Sequence, residues 1–349
     1  MAEAWAHGGT DALGIPAHDF STNRNACGPC PPAVAALQAA NTAQYPDPHY
    51  TALRAQLAQW HGVAPQRIVV AGSASEFIHR ITMHALRRGA DCVTLPQHHY
   101  GDYLQAARVW GLVVADRAAR ASGAGLHWAC APSSPLGQDD PVLANWAVAQ
   151  PPTQQTWRVL DCAYAPLRLH PYTPQTVQQH LQHVWQLWTP NKALGMTGVR
   201  AAYAVAPVHT TAQELEALRL LAPSWVVGAH GVAMLQAWTT PAVQDWLQAS
   251  LQQLSQWKQL QLQLCARLGW AVQPGHQSNY WVARWPAALQ AALPQGLAAL
   301  RAQGIKLRDT SSFGLPGHVR MGVLPPASQQ ALEDAWQAWA TGHAFKDLT

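Results

Sequence analysis

Charged side chains are sparse in this sequence: Asp, Glu, Lys and Arg make up 11% of 349 residues, against 49% apolar, and lysine occurs at only four positions. The charges are scattered, with a formal net charge of +4 and no Lys/Arg cluster or basic stripe, which excludes a nucleic-acid surface. No apolar run approaches the length of a membrane span, and the opening MAEAWAHGGTDALG lacks the basic and apolar segments of a secretory signal. No membrane contact is expected, and the cytoplasm is the simplest location. The six cysteines are too few for a disulfide framework in a chain of this size. Cys92, Cys130, Cys162 and Cys265 sit in apolar segments and read as core residues. Cys27 and Cys30 spell C-G-P-C, a redox motif that needs a strand before it and a helix launched from it to lower one thiol pKa. S-T-N-R-N-A precedes the pair and two prolines follow, which is loop sequence, and no second Cys/His pair stands at ligand spacing. Neither a redox centre nor a metal site is expected.

What is present is a globular α/β pattern long enough for two or three domain-sized units. A turn-rich start, with N-A-C-G-P-C-P-P and Y-P-D-P, leads into a helix predicted over His49 to His61. From Arg67 to Pro207, short β-branched runs alternate with helical periods. RIVVAG, CVTLP, LVVADR, LHWACAP, WRVLDCAYAP, WQLWTP and VRAAYAVAP are seven strand candidates, with helices predicted between them, including one over 176–184. This alternation predicts βαβ units and a mostly parallel sheet, which places functional residues at strand ends and in the loops beyond them. Past Pro207 long helices dominate. In one, Leu247, Leu251, Leu254, Trp257, Leu264 and Leu268 recur at helical steps. The remainder, from WAVQPG through YWVARW, GIKLRD and HVRMGV to a closing helix, reads as a small α+β unit.

The scarcity of lysine permits elimination. Lys346 lies in a tail, Lys258 sits among glutamines on a helix, and Lys306 borders a C-terminal strand. Lys192 follows the strand ending in Trp188-Thr189-Pro190 and precedes A-L-G-M-T-G-V-R, where Gly195 and Gly198 would let the backbone pass close to a ligand. An amine attacks a carbonyl only when neutral, so a catalytic lysine needs burial or a nearby positive charge, which Arg200 could help supply. Spacing alone leaves a surface turn lysine as the alternative.

The segment T-P-N-K-A-L-G-M-T-G-V-R-A-A-Y resembles the lysine segment of fold-type I pyridoxal-phosphate (PLP) enzymes, S-L-S-K-x-x-G-L-x-G-L-R-x-G-Y, in the class I/II aminotransferase family. Within it the chain is most similar to histidinol-phosphate aminotransferases and threonine-phosphate decarboxylases, and the likeness runs in order from about Asp19 to Pro325. The resemblance implies an N-terminal arm (1–45), a large PLP-binding domain with helices on both faces of its sheet (46–240) and a small α+β domain (241–349). It implies that Lys192 carries the cofactor as a Schiff base. Asp161 of D-C-A-Y would pair with the pyridine nitrogen, keeping it protonated so that the ring can act as an electron sink; otherwise it caps a turn. Tyr164 would bond the ring's phenolic oxygen, or else is a core tyrosine. In A-G-S-A-S-E-F-I, the backbone at Ala74 and the Ser75 hydroxyl would receive the cofactor phosphate at a helix start, although S-A-S-E is also an ordinary cap. Thr189 and Arg200 would complete that seat.

The same resemblance makes Tyr103 of Y-G-D-Y the aromatic stacked on the ring, where the plainer reading is packing. Arg320, in S-S-F-G-L-P-G-H-V-R, becomes the substrate-carboxylate ligand, with Arg308 assisting. Tyr45 would reach the phosphate of a neighbouring subunit's cofactor, which implies a homodimer, and Asn23 matches an asparagine of the N-terminal loop. The chain departs from the family pattern where N-P-N-N-P-T-G has become A-P-S-S-P-L-G. Ser134 therefore stands where an asparagine touches the phenolic oxygen, and Asn191 replaces the serine before the lysine. The expected activity is transamination of an amino acid or phosphorylated amine. The alternative is decarboxylation of a threonine-phosphate type, favoured by A-H-G-G and D-F-S-T-N-R-N, which put His7 and Asn23 near a substrate phosphate. A non-catalytic descendant that binds PLP or a metabolite is the reading of another class.

Overall fold

A computed structural model describes residues 7–118, 124–148, 155–169 and 181–344. In chain order its strands are β1 (His18–Asp19), β2 (Ile68–Ala71), β3 (Cys92–Thr94), β4 (Val113–Val114), β5 (Gly125–Cys130), β6 (Thr156–Asp161), β7 (Trp185–Trp188), β8 (Ala202–Val205), β9 (Ala271–Val272), β10 (Tyr280–Arg284), β11 (Ile305–Lys306), β12 (Arg308–Asp309) and β13 (His318–Gly322). The seven runs read between Arg67 and Pro207 form one sheet in the order β2-β8-β7-β6-β5-β3-β4. Its neighbours are parallel except at β8, which runs against both β2 and β7. Every residue of β5 and β6 is buried, because helices cover a parallel sheet on both faces and leave no solvated side to alternate with. The helical period expected over 176–184 falls mostly outside the described residues.

Helices Ala74–Arg87 and Gly101–Trp110 follow β2 and β3. The first starts sharply: the Ser73 hydroxyl accepts from Glu76 N at 3.0 Å, and the Glu76 carboxylate accepts from Gly72 N at 3.1 Å, reciprocal capping of two otherwise orphaned amides. The expected helix near His49 spans Thr51–His61. A second sheet of order β12-β13-β10-β9 is antiparallel throughout, and β1 of the arm pairs with β11. Among the described residues no helix is long and apolar enough to cross a membrane.

The long helix Pro241–Arg267 carries the leucine stripe inward, with Leu247, Leu254 and Leu264 buried. Its polar residues are not all solvated. Lys258 is 1% exposed and donates to the carbonyls of Ser278 (2.8 Å) and His276 (3.2 Å), while Gln261 bonds Gly322 O and Leu324 N. The helix is thus tied to the small sheet by polar groups that the sequence presents as surface. Burial pushes the Lys258 ammonium from 10.5 down to about 8. The unfolded chain therefore holds the extra proton between those values, so the burial penalty is full below about pH 8 and fades as pH rises. Wild type should gain on Lys258→Met by about 2–3 kcal/mol between pH 8 and 10.5 in urea melts; a constant difference would show that Lys258 does not titrate there.

The N-terminal loop clasps the segment that carries Lys192. Asn25 N donates to Lys192 O and Cys30 N to Leu194 O, both at 2.9 Å, and the Asn25 amide reaches Ala193 O and Ser250 Oγ. Gly195 (φ +67°) sits against this loop, where a Cβ would stand 2.9 Å from Gly28 Cα and 3.0 Å from Asn25 O. Its freedom thus serves the protein's own arm rather than a ligand, and Gly198 faces open space. A helix does start at Cys30, the N-cap of Pro31–Gln38, but no strand leads directly into the pair, since β1 ends at Asp19, both thiols are free, and burial pushes them up, Cys27 to about 11. We expect Gly195→Ala to lose about 1–3 kcal/mol of stability in thermal and denaturant melts, and Gly198→Ala to match wild type.

Candidate active site

The strand ends converge on one edge of the large sheet, where a cleft of about 930 Å³ opens between the sheet, the arm and the second sheet. Register puts Asp161, the last residue of β6, level with Cys130 of β5 and Leu187 of β7. Beyond β7 the chain continues into Thr189, Asn191 and Lys192, and Arg200 stands just before β8; all four line the cleft together with Asp161 and Tyr164.

Asp161 is 4% exposed. Burial drives its carboxyl toward the neutral form, against the Tyr103 hydroxyl at 2.6 Å, the charge of Lys192 and the Ala163 amide at 2.9 Å; the net direction is upward. A buried carboxyl in this state gains most from a fixed cationic partner on its open side. Lys192 is the only lysine that lines the cleft among the described residues, and its Nζ stands 5.1 Å from the centre of the Tyr164 ring.

Ser73, Ala74 and Ser75 at the helix start, with Thr189 and Arg200, form one pole of the cleft. The Thr189 hydroxyl is buried without a hydrogen-bond partner, and so are the amide oxygen and nitrogen of Asn23. Orphaned buried polar atoms are rare in a native fold and call for a bound group. A phosphate at a helix N-terminus beside a guanidinium and a free hydroxyl meets that demand.

At the other pole, β12 and β13 place Arg308 directly opposite Arg320. Like charges in that register repel. No acidic side chain bonds either among the described residues: Arg308 donates to Asp309 O and Ser312 Oγ, and Arg320 to Ser134 Oγ (3.1 Å) and Ser21 O (3.0 Å), leaving its Nε buried and unpartnered. Burial and the Arg320 charge hold Arg308 down to about 10. His7 and Gly8 of the arm close the wall, with Gly9 N bonded to Ser21 Oγ at 2.8 Å.

Two expected residues stand elsewhere. Tyr103 is fully buried behind the wall, stacked on Trp128 with ring centres 4.3 Å apart and bonded to Asp161. The ring that lines the cleft is Tyr100, just before the helix. On a helix start a three-residue step separates loop from buried face, and Y-G-D-Y shows only that two tyrosines are available. Tyr45 is 77% exposed and stacks on Trp225, outside its own cleft. Tyr100, Arg108, Ser312 and Phe313 were not singled out by the sequence and do line it.

Fold and cleft together bring a lysine, a buried acid and a helix start beside a guanidinium into one cavity, the set of groups that an aldehyde cofactor with a ring nitrogen and a phosphate would need. The aminotransferase class I and II family matches residues 16–338, and the chain belongs to that family of PLP-dependent enzymes. It is 26% identical over 349 residues to the histidinol-phosphate aminotransferase of Symbiobacterium thermophilum, covering 92% of this chain and 91% of that protein. Among solved structures, the histidinol-phosphate aminotransferase of Sinorhizobium meliloti in complex with pyridoxal-5'-phosphate superposes with a TM-score of 0.77 at 22% identity, over 91% of this chain and 90% of the other. L-threonine-O-3-phosphate decarboxylase from Porphyromonas gingivalis gives 0.68 at 19% identity, over 92% and 97%.

Tyr103→Phe removes one of two donors that oppose the effect of burial on the Asp161 carboxyl. A hydrogen bond to a charged group contributes about 1.5–3 kcal/mol, so PLP affinity, followed by absorbance titration, should fall about tenfold or more. Unchanged affinity would mean that the Asp161 charge does not support the cofactor.

Proposed function

We propose that this protein transfers an amino group between a phosphorylated or carboxylated amine and a keto acid, as a histidinol-phosphate aminotransferase-like enzyme, and that it works as a homodimer. The observation that carries this reading is the shared cleft of Lys192 and Asp161, with the unpartnered Thr189 hydroxyl at one pole and, at the other, two arginines that bond no acidic side chain among the described residues. PLP, when bound, supplies a ring that withdraws electrons from the substrate's α-carbon. Asp161 would hold positive charge at the ring nitrogen, and the helix start with Ser75, Thr189 and Arg200 would bind the phosphate. Lys192 Nζ would hold the aldehyde and is the amine placed to move the α-proton. Arg320 and Arg308 bind the substrate's acidic group and orient its reacting carbon. Tyr45, exposed beside Trp225, is free to meet a second copy of the chain.

Borohydride reduction of the PLP-loaded protein should fix the cofactor covalently in wild type and not in Lys192→Ala, read by mass spectrometry. An adduct that persists in the variant rejects the lysine assignment. Decarboxylation is the second reading, favoured by the entry of His7 and Gly8 into the cleft wall. Amino-group transfer from histidinol phosphate to an added keto acid supports the first; carbon dioxide released from phosphothreonine supports the second.

A further inference from the structure

One turn of the second unit lies over the arginine pole, and the steps above do not use it. Ser311–Phe313 form a single tight turn after β12. It is closed by Phe313 N donating to Thr310 O (2.9 Å) and Leu315 N to the same carbonyl (3.2 Å). The Phe313 ring lines the cleft, its centre 5.0 Å from the Arg308 guanidinium carbon and 5.7 Å from that of Arg320. One aromatic ring therefore stands against both cations of a pair that the strand register forces together. The turn is also tied to the unit that carries the large sheet. The Phe313 carbonyl lies 2.7 Å from Nδ1 of His98, 215 residues away in the loop after β3. A carbonyl only accepts, so the imidazole carries its proton on Nδ1. Gly314, at φ +78°, turns the chain away directly above that ring, where an added Cβ would stand 3.7 Å from His98 Nδ1.

We propose that Phe313 is a specificity-determining residue, which limits the paired arginines to substrates with a compact anionic end, and that His98 is the positioning residue that fixes it there. The negative face of an aromatic ring stabilises a guanidinium and covers that side of it against water. Each terminal nitrogen donates once to the protein and keeps a second N–H, and edge-on approach suits an oxyanion that accepts such bonds. Excluding water beside both cations strengthens their attraction for such a group and leaves a neutral substrate end with nothing to replace the lost solvation. The inference rests on the cofactor assignment only for which end of the cleft remains open to substrate.

The test uses the PLP-loaded protein, whose cofactor-phosphate seat is already filled, and follows inorganic phosphate binding by calorimetry. Phe313→Ala should weaken phosphate binding about threefold to thirtyfold, the range of a partly desolvated cation–π contact. His98→Ala should weaken it in the same direction, and His98→Asn, whose amide can donate to the same carbonyl, should return it to within about twofold of wild type. With an active amino donor, Phe313→Ala should raise KM while kcat stays within about threefold. Phosphate affinity unchanged in Phe313→Ala, or His98→Asn no better than His98→Ala, overturns the proposal. Failure of the lysine assignment is seen separately, as loss of covalent cofactor fixation in wild type whatever phosphate does.

Discussion

The carboxyl of Asp161 is the constraint around which the site is arranged. It ends a strand whose residues are all buried, so little of it meets solvent, and burial drives it toward neutrality. A neutral acid at that point could not hold a proton on a ring nitrogen. Tyr103 and the Ala163 amide oppose the burial from below, and Lys192 does so from the cleft. What remains is a carboxyl whose charge is most stable when a cation arrives from the open side. The apolar sheet that makes this acid costly to ionise also makes it a strong partner for a pyridinium.

Lysine placement follows from a different source. The loop beyond β7 has little regular structure, yet its backbone is bonded at Lys192 O and Leu194 O by the N-terminal arm, and Gly195 lets the two chains meet. The arm in turn touches the acid-binding end through Ser21, which receives Gly9 N on its hydroxyl and Arg320 on its carbonyl. One N-terminal segment therefore fixes both the Lys192 loop and the Arg320 side chain, far apart in sequence. This is a reason for the arm to pack against the unit that carries β11 and β13 rather than to float free.

Much of this was legible from local text. Seven β-branched runs became the seven strands of one sheet, since periodicity reports burial on both faces. Elimination among four lysines pointed to the one in the cleft. What local text could not carry was which neighbour a side chain meets. The helix phase that sends Tyr103 inward and leaves Tyr100 at the cleft depends on where the first turn begins. Lys258 among glutamines looks solvated until the loop at His276 and Ser278 closes over it. His98 and Phe313 come together only through the packing of two units, and no spacing rule links residues 215 apart.

The departures from the family loop acquire a physical sense in this geometry. Ser134 stands where the resembled enzymes place an asparagine, and its oxygen accepts from Arg320 at 3.1 Å. Each hydroxyl retains one donor after accepting, so Ser134 can hold the guanidinium and still offer its proton to an oxyanion that docks there. The change thus bears on the arginine end of the cleft, while Asp161, Lys192, Thr189 and Arg200 line it as the family pattern places them. The Arg308–Arg320 register is repulsive and destabilises the fold unless an anion relieves it. A pair that is screened by Phe313 and bonds no acidic side chain among the described residues is an arrangement suited to an anionic group.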